Sequence, residues 1–522
     1  MSTFHGLETA RRGMVAQQNA LYTTGHNISN ANTAGYSRQR VNFQATTPFP
    51  VASINQQKMA GQMGTGVEAG SVQRVRESFL DVQYRSENSK LGYWQTRANG
   101  LDKMEQIMNE PSESGLSKTM DRFWQSLQDL AVNLEDSGAR SVVRQRGQAV
   151  VETFQYLSQS LTAVQNDIGH EISVSIKSMN SISKQVADIN KQIAEIEPHG
   201  YLPNDLYDER DRLLDQLSSF ADIKIDHVKS GGNALAVAEG MVNVSIVDKN
   251  GNTVSLINGT SFKNLSVAPA SDSDGDGVSD LPSGPITDVR IGGTSIDLRS
   301  SNGSLKGLID SYGYVENGVV KGTYPAMLDN LDKMAYSFAV QFNEVHASGY
   351  TLASSSTASV NGINFFADLG DSYKGAALRI SLSSDLDDLN NIAVSTEANQ
   401  AGNGQNALNL AEVKNVNYTS VTNPKADGKV LPITAGTIQS FYESIIGRMG
   451  VDSQESIRLR DNSQVLRDSV DMNRQSVSGV SLDEEMTNMI KFQHAYNASA
   501  RNLTVIDEML DTIINRMGVV GR

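Results

Sequence analysis

The clearest pattern in the chain lies near its end. Leu482, Met489, Tyr496, Leu503, Leu510 and Met517 stand at uninterrupted seven-residue steps, and Phe492, Ile506 and Ile513 each follow a member of that series by three. Such a heptad stripe keeps one seam of a helix facing a partner helix. The opening segment answers with Leu7, Met14, Leu21 and Ile28, again seven apart, with weaker Ala10, Gln17, Thr24 and Ala31 between them. Ser481 and Glu484 have the spacing of a capping box, and Asp483, Glu484 and Glu485 suit the positive end of a helix dipole. The stripes fit either ordinary amphipathic core helices or a coiled-coil-like pair formed by the two ends. Their remaining faces are rich in Gln, Asn and Ala, which suits a second, polar contact surface. A narrow stripe on one helix pair buries little, so the ends are expected to order fully only in an assembly.

Between the ends, residues 78–220 read as long helices. The stretch 112–197 has no proline, and Met120, Phe123, Trp124, Leu127, Leu130 and Leu134 recur at helical spacing. Asn204 is placed as an N-cap, and Asp208, Arg210 and Asp211 have the spacing of surface or interhelical ion pairs. From 221 to about 320 the period shortens to two, as in Val242, Val244 and Ile246, with Asn-Gly pairs at 250, 258, 302 and 317 suited to hairpin turns. Helical pattern returns at 325–348 and 434–478, and the Ser- and Gly-rich stretch 350–433 reads as β-rich or mixed. The fold class is multidomain α+β: paired terminal helices, a long-helix bundle and inserted β-rich domains. The expected divisions are 1–45 with 480–522; 46–220 with 325–349 and 434–479; 221–324; and 350–433.

Composition narrows the function. A chain of 522 residues predicts two to four domains. A net charge of −15 argues against the broad basic surface that nucleic acid demands. There is no cysteine, no apolar run long enough for membrane insertion, and no secretory h-region or cleavage site in the opening segment. Gly64–Gly70 departs from the G-x-G-x-x-G spacing, and the histidines are scattered without H-E-x-x-H. Neither a nucleophile elbow nor a cleft of paired acids is apparent. Asp272, Asp274, Asp276 and Asp280 fall at positions 1, 3, 5 and 9 of a calcium loop, with Gly277 at the sixth. Ser283 stands where such a loop places its bidentate Glu, so the expectation is a weak calcium site at most and otherwise no cofactor.

The stretch Asn27–Arg38, containing Asn30, Asn32, Gly35, Tyr36 and Arg38, resembles the N-terminal signature of bacterial flagellar rod, hook and hook-associated proteins. Its Tyr36–Gln39 ending is most similar to the hook-associated protein 1 (FlgK) family. Gly64–Val67 with Gln73–Arg76, Asn204–Asp211, and Ser478–Arg501 continue the likeness. The resemblance implies a structural, non-enzymatic protein of the hook–filament junction, exported through the flagellar type III apparatus without a cleaved signal peptide and residing in the extracellular flagellum. It implies as partners further copies of itself in a ring or helical array, the flagellar hook protein, a second hook-associated junction protein, and an export chaperone on the C-terminal helix. The heptad and signature residues named above are then the assembly interface. Another axial protein, hook or distal rod, is the alternative, although a long proline-free helical block sits poorly with a hook protein. A wall-remodelling enzyme on an axial scaffold is the remaining one.

Overall fold

The computed structural model describes residues 4–50, 62–247, 253–272, 275, 277–297, 301–353, 358–425 and 427–516. Its helices are α1 (Phe4–Ser29), α2 (Ser78–Met108), α3 (Leu116–Val132), α4 (Ser137–Ile196), α5 (Asn204–Phe220), α6 (Ser304–Tyr312), α7 (Thr323–Ser348), α8 (Ala376–Arg379), α9 (Gln405–Glu412), α10 (Ile438–Ser478) and α11 (Leu482–Asp511). The strands are β1 (Gln39–Ala45), β2 (Val67–Arg74), β3 (Ile223–Val228), β4 (Met241–Val247), β5 (Thr253–Asn258), β6 (Ser261–Phe262), β7 (Leu265–Ala268), β8 (Ala270–Ser271), β9 (Leu281–Pro282), β10 (Asp288–Ile291), β11 (Thr294–Ile296), β12 (Tyr314–Glu316) and β13 (Val319–Lys321). The fold is mostly helical, with long terminal helices packed together and small antiparallel sheets inserted.

The chain forms two compact units. The first comprises Met1–Leu91, Ser178–Asn264 and Ser463–Arg522; the second comprises Gly92–Lys177 and Leu265–Asn462. In the first unit, α1 packs along α11 and against the β1–β2 hairpin. A four-stranded sheet in the order β3-β4-β5-β6 belongs to the same unit. Val242, Val244 and Ile246 of β4 are wholly buried, as their alternation requires of a central strand.

The second unit is built on α3, α7 and the first part of α4, whose 60 residues run without a proline. Phe123, Phe154, Phe338, Phe342, Phe365 and Phe366 are all fully buried, with ring centroids 5.0–6.5 Å apart. Gly147 of α4 admits Phe365 to this cluster, since a methyl there would fall 2.8 Å from the ring edge. His346 is buried beside the rings. Its Nδ1 lies 2.7 Å from the Ile363 carbonyl, and its Nε2 accepts from the Ala393 N–H at 3.1 Å. Burial holds its pKa down at about 4, so the ring is neutral and both nitrogens are engaged in packing.

Several local expectations change. Asn317-Gly318 does form the β12–β13 turn, with both residues at positive φ, but Asn302-Gly303 leads into α6 instead of a hairpin. Asn250-Gly251 lies outside the described residues. Among the described residues, 350–433 carries α8, α9, 3-10 turns and the isolated bridges Tyr350–Ser395 and Phe366–Leu382, and no extended strand. Asn204 heads α5 without capping it. The N-cap position falls to Pro203, and Asn204 Nδ2 donates to Gln39 Oε1 (3.3 Å) and the Val72 carbonyl (2.9 Å), tying the helix start to the hairpin.

Candidate assembly interface

The terminal helices run antiparallel in a single register. A methyl built on Gly6 would come within 3.3 Å of Ile506 Cδ1, one on Gly13 within 3.3 Å of Ser499 Oγ, and Asn27 Nδ2 donates to Glu485 Oε2 at 3.2 Å. Each heptad step along α1 is thus matched by a heptad step back along α11, and Ala20 falls opposite Phe492. Small residues on α1 receive larger ones on α11. The fully buried face of α1 is Ala16, Ala20, Thr24 and Asn27, while Leu7, Met14, Leu21 and Ile28 are half-buried one position aside. On α11, Met489, Phe492, Tyr496, Leu503 and Ile506 are half-buried and Leu510 is buried. Leu482 and Ile513 are exposed, and Met517 lies outside the described residues. Phe43 of β1 closes over Phe492 with a centroid distance of 6.0 Å.

One end of the seam is polar and fully satisfied. Asn27 is buried, and its amide uses every hydrogen-bonding position it has. Nδ2 donates to the Gln39 carbonyl (2.8 Å) and to Glu485, while Oδ1 accepts from the Gln39 N–H (2.9 Å) and the Tyr36 hydroxyl (2.7 Å). Burial and nearby carboxylates push the Tyr36 pKa up, which keeps that hydroxyl protonated and able to donate. His26 Nδ1 sits 3.0 Å from the same hydroxyl. Arg38 Nε donates to Glu485 Oε1 at 2.7 Å, and its two terminal nitrogens grip Glu484 at 2.8 and 2.9 Å. The capping box expected at Ser481 is therefore not made. Ser481 occupies the N-cap position without a side-chain bond, and the Glu484 carboxylate that would reach back to it is held instead by the bidentate Arg38 guanidinium.

The signature loop divides by function. Tyr36, Ser37, Arg38 and Gln39 tie the ends to the hairpin and α5: the Ser37 N–H donates to Asp208 at 3.1 Å, and Gln39 Nε2 to Asp205 at 3.1 Å. Asn30 is turned back on its own helix, donating to the His26 carbonyl at 3.1 Å. Asn32 and Gly35 are exposed, and Gly35 adopts φ 84°, a left-handed conformation that glycine takes without strain. They line a groove of about 940 Å³ together with Arg212, Gln216, Gln475 and Ser478.

Behind the loop lies a buried ionic cluster. Arg74 reaches Asp208 (2.7 Å), Asp211 (2.9 Å) and Glu239; Arg76 holds Asp81 (2.7 Å); Arg85 bridges Asp211 (3.2 Å) and Asp215 (2.7 Å). Arg210, wholly buried, donates to the Gly240 carbonyl and Glu239, both at 2.7 Å. Arg474 of α10 pairs with Asp215 and lies 3.9 Å from the centre of the Tyr84 ring. Burial alone would raise the Asp211 pKa, but Arg76, Arg74, Arg85 and Arg210 hold it well below the usual carboxylate range. Asp208, Arg210 and Asp211 are thus buried and not on the surface, and of the three only Asp211 pairs with another helix, through Arg85 of α2.

Sequence reasoning missed Gly6, Gly13 and Ala20, and it read Asn27 only as the start of the signature stretch and Glu485 only as a partner of the helix dipole. The signal was present as a second seven-step series on α1, made of small and polar residues instead of large apolar ones. In the calcium candidate, Asp272 accepts backbone N–H groups from Gly275 (2.7 Å) and Gly277 (2.9 Å), and Asp280 is buried 3.3 Å from Lys177. Asp274 and Asp276 lie outside the described residues.

The two ends that form this helix pair both match axial flagellar proteins. Residues 7–36 match the profile of the flagella basal body rod protein, and 473–517 that of the flagellar basal body rod FlgEFG protein C-terminal region. Residues 101–366 match the flagellar hook-associated protein FlgK helical domain. The chain is 46% identical over 530 residues to flagellar hook-associated protein 1 of Bacillus subtilis, covering 100% of both. It is 25% identical to that of Escherichia coli, over 98% of this chain and 99% of the other. The flagellar hook junction protein FlgK from Burkholderia pseudomallei shares the fold, with a TM-score of 0.52 and 14% identity over 77% of this chain and 100% of that one. The chain belongs to the flagellar hook-associated protein 1 (FlgK) family. It is a structural component of the extracellular flagellum at the junction of hook and filament, assembling within that organelle, and not an enzyme.

Proposed function

We propose that this chain assembles copy against copy through its terminal helix pair, in a ring or helical array between the flagellar hook protein and a second hook-associated junction protein. An export chaperone covers the C-terminal helix beforehand. The observation that carries this reading is the outward face of α11. Met486, Ile490, Val505 and Met509 are 53, 56, 48 and 60% exposed, although the inward seam is already occupied by α1. On α1, Val15 and Tyr22 are exposed as well. A helix with apolar residues on both faces has a second partner to find, and in a repeating array that partner is a different patch on the next copy. The same face explains why a chaperone is needed on α11 before assembly, since it is a ready site for non-specific association.

The test is Met486→Lys with Ile490→Lys. Both side chains are solvent-exposed in the single chain, so circular dichroism and thermal unfolding of the monomer should be unchanged. Cells carrying the variant should make hooks without attached filaments, and normal filaments would overturn the reading.

A further inference from the structure

We propose that Glu485, held by Asn27 and Arg38, is the positioning residue that selects one heptad register for the terminal helix pair. The inference rests on the assembly reading above, because register decides where the outward face of α11 lies.

A seven-residue apolar repeat does not by itself specify register. Sliding α11 by one heptad moves it about 10.5 Å and presents an almost equivalent stripe. Moved one way, Ser499 would face Gly6 and Phe492 would face Gly13, and the glycine notches would still accept them. Moved the other way, Ile513 would face Gly6, Ile506 Gly13 and Ser499 Ala20. The connection to α10 allows the first of these moves, which carries the start of α11 away from Ser478. Residues 475–481, Gln-Ser-Val-Ser-Gly-Val-Ser, are weak helix formers, and about five of them passing from helical to extended rise would supply the distance at roughly 2 Å each.

Glu485 breaks the degeneracy in both directions. Its side chain is only 3% exposed and is satisfied by Asn27 at 3.2 Å and Arg38 at 2.7 Å. In the first slipped register the carboxylate faces the Ala20 methyl and loses both partners, a buried charge left unpaired. In the second, Phe492 faces the Asn27 amide, and the bond from Asn27 to the carboxylate is lost. One polar position in an apolar seam specifies register in this way at a cost in stability. Asn27 cannot follow a slipping helix, because its other three hydrogen bonds hold it to Gln39 and Tyr36.

The chain has no cysteine, so paired cysteines report register directly. Ser499→Cys is combined in turn with Gly13→Cys for the observed register, and with Gly6→Cys or Ala20→Cys for the two slipped ones, in the oxidised full-length monomer. In the parent background only the 13–499 pair should crosslink. Glu485→Leu should raise one slipped crosslink at least tenfold at unchanged helicity, whereas Glu485→Gln, which keeps the bond to Asn27, should stay in register. The proposal is overturned if Glu485→Leu still crosslinks only at 13–499, or if Glu485→Gln slips equally. It also fails if all three crosslinks vanish with the helicity, since the residue would then hold the pair together without choosing its register. The measurement is made on the monomer, so a failure of the assembly reading would not alter it.

Discussion

Asp211 sits where four guanidiniums converge, and its charge is what lets them be buried together. Arg74, Arg76 and Arg85 lie 2.9, 3.5 and 3.2 Å from its oxygens, while Arg210 acts on it through space in the same interior. Asp211→Asn keeps the shape and removes the charge, leaving excess positive charge in a desolvated site. The expected loss is about 3–5 kcal/mol, the scale of breaking a buried pair on one side, read from urea unfolding of the full chain. The sign with pH follows from the depressed pKa. The contribution is fully present above the unfolded value of about 4 and drains only as pH falls further toward the lower folded value. A loss within 1 kcal/mol would mean that water reaches the cluster and screens it.

The α1–α11 pair has two ends of different strength. Near Asn27 and Glu485 it is fixed by hydrogen bonds to the loop, the hairpin and α5. Toward Phe4 and Ile513 it is held by the narrow seam and, on the α1 side, by the hairpin, where His5 Nε2 lies 3.2 Å from the Gly64 carbonyl. In the structure the two ends are helical and paired, and the polar node adds to what the short apolar stripe supplies. Leu503→Asp puts a charge into the weaker half, where desolvating it costs several kcal/mol. Limited proteolysis of this variant should cut both ends faster than in the parent while the second unit, with its aromatic core, stays resistant. Unaltered cleavage kinetics would show that the seam does not hold that half.

At the scale of the whole molecule, net charge opposes the chain's own assembly. Each copy carries −15, so copies brought side by side repel one another unless salt screens them. The Debye length falls from about 30 Å at 0.01 M to about 8 Å at 0.15 M ionic strength. Self-association of the purified chain, followed by light scattering, should therefore be promoted by sodium chloride across that range. Association that weakens with salt would mean that complementary charges, not the apolar outward face, drive the contact.

Periodicity was enough to place the long helices and to mark β4 as a strand, because both depend on which residues recur on one face, and the signature resemblance added the pairing of the two ends. The signature residues likewise announced an axial flagellar protein, and Tyr36 and Arg38 lie at the node that closes the helix pair. Register was beyond reach, because a heptad stripe repeats itself and only Asn27 meeting Glu485, 458 positions apart, makes one alignment differ from the next. The fates of Ser481 and Asn204 were beyond reach for the same reason. Capping is a local preference worth about 1 kcal/mol, and only folding brought Arg38 to the Glu484 carboxylate and set the Asn204 amide against the hairpin. The ionic cluster shows the limit most plainly: Arg74, Arg85, Asp211, Glu239 and Arg474 carry no mutual pattern along the chain, and their burial together was decided by tertiary structure, which packs distant segments around charges that no single segment could keep dry.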